Sequence, residues 1–240
     1  MQVIVCKNYE EVSLKAADLV SETVKANPSC VLGLATGGTP EGMYQLLCDR
    51  YAAGELDFSG VTSVNLDEYY PIEPDNPQSY RYFMNHHLFD HINIDKNRTY
   101  VPCGTATDPD RACEEYEQII ASVGGIDLQI LGIGQNGHIA FNEPDDALYP
   151  KTHKTALTQN TIEANARFFD SMDQVPKHAL TMGMGSILGA KKIVMLVCGK
   201  GKREALRAVL SGRVSTWCPA SFLALHKDVI ILCDREAYDA

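Results

Sequence analysis

No apolar stretch in this sequence is long enough to span a bilayer. None of its 8 cysteines forms a Cys-x-x-Cys pair. Spacing that would hold zinc or build a disulfide framework is therefore missing. Cys30, Cys198 and Cys233 sit in apolar runs, where they read as small buried hydrophobes of a reducing compartment. No metal is implied. Positive charge is scarce: 21 Lys and Arg stand against 31 Asp and Glu, for a net charge of -10. Such a chain repels a phosphate backbone, so nucleic acid is not an expected partner, although a local basic pocket for a small anion stays open. Neither a Walker loop nor a Gly-x-Gly-x-x-Gly fingerprint occurs, so no nucleotide cofactor is implied. Met1 to Lys7 lack a basic start followed by an apolar core, so no signal peptide is expected and the expected compartment is the cytoplasm. Repeats and low-complexity linkers are also lacking, and residues 1–240 are expected to form a single domain.

What is present is the composition of a packed globular protein, 45% hydrophobic and 22% charged. Short apolar runs alternate with amphipathic stretches. Val3 to Val5, Val31 to Ala35, Val61 to Leu66, Ile126 to Leu131, Ile193 to Val197 and Val229 to Leu232 read as strands. Helical spacing covers about Tyr9 to Ala26, Glu41 to Ala53, Pro109 to Ser122 and Lys202 to Leu210. In the first of these, Val12, Ala16, Leu19, Val20 and Val24 share one side. Pro71 to Pro77 is a loop, after which a helical stretch resumes. Strands joined by helices of this length require crossovers. The expected fold is α/β, an open, mostly parallel sheet with helices on both faces. Ligands of such sheets bind beyond the carboxyl ends of the strands, which directs attention to the polar residues that follow each strand.

Three constellations stand there. Thr36-Gly37-Gly38-Thr39-Pro40 lies between a strand and a helix. Glycines allow close backbone approach and a helix N-terminus offers unpaired N–H groups, so this reads either as a phosphate cradle or as a tight turn with a Thr cap. Asp67 and Glu68 close a hydrophobic strand. Being adjacent they point different ways, one available as a base and the other for a structural bond, against the plainer reading of a turn carboxylate. In the loop Gly132 to Pro144, three glycines precede His138, and Glu143 follows five residues later. A carboxylate folded back on an imidazole fixes its tautomer and raises its basicity. The alternative is a histidine satisfied by a backbone carbonyl. Arg167 and Lys202 are candidate phosphate ligands or solvated surface charges, and Lys200, Arg203 and Arg207 read as exposed. Trp217 is left open between core and pocket wall.

In these residues the chain resembles the glucosamine-6-phosphate deaminase (isomerase) family, in order and over nearly its whole length. Thr36 to Pro40 looks like the family's phosphate loop, Asn65-Leu66-Asp67-Glu68-Tyr69 like its catalytic strand end, and Gly134 to Pro144 is similar to its most specific signature. The resemblance implies a modified Rossmann-like fold. It also implies conversion of glucosamine 6-phosphate and water to fructose 6-phosphate and ammonia, without metal or organic cofactor. It assigns ring opening to His138, oriented by Glu143 and Asn136, and proton transfer between C2 and C1 to Asp67. Thr36, Gly37, Gly38, Thr39, Glu68, Arg167 and Lys202 are its implied substrate contacts. Some members carry Asp where this chain has Asn136, which cannot hold a negative charge. Longer members have an allosteric site and form hexamers. Neither property is carried over to this shorter chain, which is expected to be a monomer or small homo-oligomer.

Two other readings compete. A 6-phosphogluconolactonase also uses a Gly-rich His loop, but Phe141-Asn142-Glu143-Pro144 together with Asp67-Glu68-Tyr69 favours the deaminase. A non-catalytic sugar-phosphate sensor would keep the phosphate loop and lose the acid–base residues, which are all here. By the same resemblance the polar segment from about Lys154 to Pro176 is expected to be a lid that closes when Arg167 meets the phosphate. Amide hydrogen exchange should then slow across 154–176 when a substrate analogue binds; unchanged protection there would reject the lid.

Overall fold

The computed structural model describes residues 1–159, 162 and 175–238. Its centre is a seven-stranded, wholly parallel sheet in the order β1-β10-β9-β6-β2-β3-β5. The strands are β1 (Gln2–Cys6), β2 (Val31–Leu34), β3 (Thr62–Asn65), β5 (Thr99–Tyr100), β6 (Leu128–Leu131), β9 (Lys192–Val197) and β10 (Val229–Asp234). Central strands β2, β3, β6 and β10 are buried along their whole length, as expected where packed layers cover the sheet. Each fully buried Leu, Ile or Val there contributes about 1.5–3 kcal/mol of transfer free energy.

The helices form where their caps and spacing direct. Helix α1 (Tyr9–Ala26) starts on Asn8, whose side chain accepts from the Glu11 N–H. It buries Val12, Ala16, Val20 and Val24, whereas Leu19 is only partly covered. Helix α4 (Pro109–Ser122) starts on Asp108, with Pro109 in its first turn, and Gly124 and Gly125, both at positive φ, follow its end. Helix α2 (Gly38–Ala52) starts three residues earlier than its apolar pattern indicates. It packs tightly on α1, because a Cβ on Gly42 would lie 2.6 Å from Ser13 Oγ. Helix α3 (Tyr80–His87) is the helical stretch that resumes after the Pro-rich loop. Three later helices are α5 (Met184–Leu188), α6 (Arg203–Leu210) and α7 (Arg235–Tyr238).

A second, antiparallel sheet of order β4-β8-β7 is the part the strand pattern does not foresee. Strand β4 (Asp67–Tyr70) follows β3 after a single residue, so the two read as one apolar run in sequence. Strands β7 (His153–Ala156) and β8 (His178–Thr181) are short, and β7 is half-exposed and polar. Asp67 is therefore the first residue of a new strand, paired with Thr181, and not the end of β3. Arg167 and most of the expected lid lie outside the described residues.

The order of the parallel sheet reverses at β2. The chain passes from β2 to β3 on one side, and β6 then joins β2 on the other. That is the switch point where the loops after neighbouring strands diverge and leave a crevice. The crossing is packed without spare volume. Gly33 in β2 faces the buried Gln129 of β6, and a Cβ on Gly33 would lie 2.2 Å from Gln129 Oε1. Gly33→Ala should therefore destabilise the fold by about 1–3 kcal/mol in urea unfolding. Adding Gln129→Ala should recover much of that loss through a coupling term; strict additivity of the two changes would refute the packing argument.

Candidate active site

Four loops leave the carboxyl ends of four adjacent strands, β9, β6, β2 and β3, at this edge. After β2, Gly37 takes φ 97° and serves as the N-cap of α2 without any side-chain cap hydrogen bond. The N-cap is thus a glycine and not a threonine, and no side-chain cap bond forms there among the described residues. Tyr9 fixes this turn from behind, donating to the Gly38 carbonyl at 3.1 Å and accepting from the Gly42 N–H at 2.8 Å. Thr36 and Thr39 are half-buried, and Gly37 and Gly38 are exposed. An uncapped N-terminus of a 15-residue helix presents aligned donors and partial positive charge, the chemistry of an anion seat.

After β3, Glu68 and Asp67 take opposite sides of β4, as successive strand residues must. Glu68 is 2% exposed, and its carboxylate accepts from the N–H groups of Tyr69 (2.9 Å), Tyr80 (2.8 Å) and Arg81 (2.9 Å). It anchors the first turn of α3. Both of its oxygens are thus engaged by backbone donors, which is the structural bond that one of the pair was expected to make. Arg81 is in turn fixed by Thr99, through its side-chain oxygen at 2.8 Å and its carbonyl at 2.7 Å. Asp67 is 6% exposed. Burial, with the Glu68 charge beside it, pushes its carboxyl up to about 8. Burial also raises Glu68, to about 7, against the pull of its three N–H donors and Arg81. The difference follows from hydrogen bonding. The Glu68 anion is held by three donors, and no donor lowers Asp67.

After β6, the loop folds as its glycines require. Gly134 N–H donates to the His138 carbonyl at 2.8 Å, and Gly137 stands at φ 86°. The His138 ring lies directly on Gly134, where a Cβ would come within 2.3 Å of Cε1. His138 Nδ1 is 3.2 Å from Glu143 Oε2, and Asn136 Nδ2 donates to the same oxygen at 2.6 Å. The Asn136 side-chain oxygen accepts from the His138 N–H at 3.2 Å. Asn136 thus bridges the histidine backbone and the carboxylate. Its amide donates where an Asp would set a second negative charge against Glu143. With Nδ1 turned to Glu143, Nε2 is the ring nitrogen left for a reacting oxygen.

The loop is joined to Asp67 through β8. Phe141 N–H donates at 3.1 Å to Thr181 Oγ1, and Thr181 is the register partner of Asp67. Asn142, 3% exposed, donates to the carbonyls of Ile139 (3.0 Å) and Met182 (2.8 Å). Phe141, Tyr69 and Tyr80 make an aromatic wall, with ring centroids 4.8 to 6.1 Å apart. Thr181 and Asn142 carry no chemistry and were not singled out in sequence; Asn142 was visible only as part of Phe141-Asn142-Glu143-Pro144.

After β9, Lys202 ends the short 3-10 turn Lys200–Lys202 and stands just before α6. It is half-buried, forms no ion pair among the described residues, and its ammonium is lowered from the usual range by burial alone. A cation partly removed from water without a countercharge suits an incoming anion. Gln135 of the histidine loop lies against Gly201 of this turn, 3.2 Å from where a Cβ would stand. Lys200 and Arg207 are exposed as expected, whereas Arg203 is half-buried and donates to the Glu236 carbonyl at 2.6 Å. Trp217 belongs to neither core nor a closed wall, being 64% exposed.

Fold and site together define an α/β protein whose sheet switch point gathers an uncapped helix N-terminus, a buried carboxylate and a His–Glu pair, the layout of an enzyme for a small anionic substrate. The chain belongs to the family of glucosamine-6-phosphate isomerases and 6-phosphogluconolactonases, whose profile matches residues 7–231. It is 56% identical over 237 residues to a glucosamine-6-phosphate deaminase of Clostridium perfringens (strain 13 / Type A), covering 99% of this chain and 98% of the relative. To a glucosamine-6-phosphate deaminase of Thermoanaerobacter sp. (strain X514) it is 55% identical, covering 99% of this chain and 94% of the relative. A solved structure described as a monomeric glucosamine-6-phosphate deaminase superposes with a TM-score of 0.96 at 48% identity, covering 99% of this chain and 98% of the other. The 6-phosphogluconolactonase of Thermotoga maritima shares the fold, with a TM-score of 0.75 at 22% identity and coverage of 97% and 98%.

The contact between the His138 ring and Gly134 gives a direct test. Gly134→Ala should displace the ring and lower kcat by about tenfold or more, since an ångström of misplacement costs that much. The melting temperature should change little, because the loop lies at the rim of the core. Unchanged kcat would show that the ring position is not used.

Proposed function

We propose that this protein converts glucosamine 6-phosphate and water to fructose 6-phosphate and ammonia. The observation that carries the reading is Asp67: a buried carboxylate that no donor among the described residues stabilises, one β-bridge from the strand residue that holds the loop bearing His138 and Glu143. The high identity to deaminases along the whole chain supports the same reaction.

The substrate arrives as a closed pyranose. Its phosphate meets the first turn of α2 (Thr36, Gly37, Gly38, Thr39) and Lys202, with Arg167 as a further ligand. These contacts hold the sugar at a point remote from the reacting carbons. His138 Nε2 takes the proton of the anomeric hydroxyl and returns it to the ring oxygen, which opens the ring. Glu143 and Asn136 hold the imidazole in the required tautomer. Asp67 then removes the proton from C2 of the open chain, giving an enolamine, and delivers it to C1, giving an imine at C2. Water adds to the imine and ammonia leaves. Every atom is accounted for without metal or organic cofactor. Burial of Asp67 matters twice: it raises its affinity for a proton, and it shields the held proton from water during the short transfer. The protonated amine of the substrate supplies the positive charge that Asp67 lacks in the free protein. Glu68 acts indirectly, by fixing α3 and the strand that presents Asp67.

The free cysteines fit a reducing compartment such as the cytoplasm, and the monomeric state of the solved deaminase supports a monomer or small homo-oligomer. No helix among the described residues is long and apolar enough to cross a membrane.

The purified protein should release ammonia from glucosamine 6-phosphate in a coupled assay. No ammonia, with hydrolysis of 6-phosphogluconolactone in its place, would overturn the reading. Asp67 must be ionised to act, so kcat/KM should rise with pH and level off above about 8, the point to which its carboxyl is raised. Asp67→Asn should abolish turnover and leave binding. A carboxyl raised by folding stabilises the fold fully below the ordinary carboxylate range, and that stability is lost as pH rises through about 8. The same variant should therefore melt roughly 4 °C or more above the parent at pH 8, with the difference vanishing near pH 4. Retained turnover would remove Asp67 from the role of base.

A further inference from the structure

The turn that carries Lys202 is held by a residue outside the reaction. Asp234 is the last residue of β10 and is 5% exposed. In the parallel register Cys233 pairs with Val197, which brings Asp234 level with the exit of β9. Its carboxylate accepts from the Gly199 N–H with both oxygens, at 3.1 Å from Oδ1 and 2.9 Å from Oδ2. Oδ1 also accepts from the Ala237 N–H at 2.7 Å, in the first turn of α7. A second bond joins the same two segments, from Arg203 Nε to the Glu236 carbonyl at 2.6 Å. Gly199 stands at φ 86° and opens the turn, and the Lys202 N–H closes back on the Gly199 carbonyl at 3.1 Å. Whatever fixes Gly199 thus fixes the backbone of Lys202.

Asp234 does not act as a countercharge. Burial lowers the Lys202 ammonium, with no opposing contribution from a carboxylate among the described residues. Its negative charge is spent on backbone donors instead, which leaves the cation unneutralised and holds it in place.

We propose that Asp234 is a positioning residue for phosphate binding: it clamps Gly199 so that Lys202 is set in advance for the anionic end of the substrate. The inference rests on the reading of Lys202 as a phosphate ligand. A preset cation loses little freedom when the anion binds, so the clamp acts on affinity and not on the proton transfers at Asp67 and His138.

Asp234→Asn tests the clamp selectively. An amide whose oxygen stays at the Oδ1 position keeps the bond to Ala237 and the longer contact to Gly199, and replaces the shorter one with an NH2 group, so that two donors meet there. KM for glucosamine 6-phosphate should rise about five- to tenfold, the effect of losing one ordinary hydrogen bond from the turn. The inhibition constant for inorganic phosphate should rise in parallel, with kcat within about twofold of the parent. Gly199→Ala disturbs the same turn without touching Asp234 or α7. Its added Cβ meets nothing within 4 Å, but its φ is strained, and it should give the same split. Lys202→Ala is the reference. If it weakens inorganic phosphate while both turn variants bind phosphate like the parent, the clamp is overturned and the reading of Lys202 stands. If Lys202→Ala leaves phosphate affinity unchanged, the reading of Lys202 falls and the clamp with it. A loss of kcat in the turn variants without change in KM would also overturn the proposal, since it would mean a general disturbance of the fold.

Discussion

The bond on which the site depends is the one between the Glu68 carboxylate and three backbone N–H groups, two of them at the start of α3. It fixes which way β4 faces. With Glu68 committed to α3, the alternation of a strand leaves Asp67 on the other side, buried and without a donor among the described residues. An unpaired buried carboxylate is costly in a fold. In the proposed reaction that cost falls on the group that holds and releases a proton. The neighbouring carboxylate takes all the hydrogen bonds and so keeps them from Asp67.

The same division recurs along the edge of the sheet. At each loop one residue is fully bonded so that its neighbour is not. Asn136 and Glu143 satisfy one another and His138 Nδ1, which leaves the other ring nitrogen for substrate. Tyr9 braces the first turn of α2, whose own N–H groups carry no side-chain cap. Asp234 binds Gly199 and Ala237, and Lys202 remains without an ion pair among the described residues. These groups, each expensive alone, stand at one edge of the sheet, and in the proposed reaction a substrate bearing an amine, hydroxyls and a phosphate would supply their partners.

Much of this was legible in sequence, for physical reasons. Buried parallel strands are continuous apolar runs, so Val31 to Ala35 and Val229 to Leu232 announce themselves, and the polar residues after them mark the ligand edge. Asp67, His138 and Glu143 could be singled out as candidates because they follow strands at the edge where ligands of such sheets bind, and only the resemblance assigned Asp67 the role of base. The second sheet was not legible. One residue separates β3 from β4, and β7 and β8 are too short and polar to show a period. The roles of Glu68 and Asp234 were hidden for another reason. Both bind backbone N–H groups of residues distant in sequence, Glu68 reaching Arg81 and Asp234 reaching Gly199, and no side-chain pattern records such a bond. Gly33 likewise appears as an ordinary strand residue until Gln129 is seen against it.

The central claim is that one shielded carboxylate, Asp67, carries a proton from C2 to C1 on a single face of the substrate. It is tested most directly by the fate of deuterium placed at C2 of glucosamine 6-phosphate and followed by NMR in the fructose 6-phosphate formed. The account predicts that a measurable part of the label reaches C1 and that all of it occupies one prochiral position. Label spread over both positions of C1 would require protonation by freely accessible water and would contradict the assignment of Asp67.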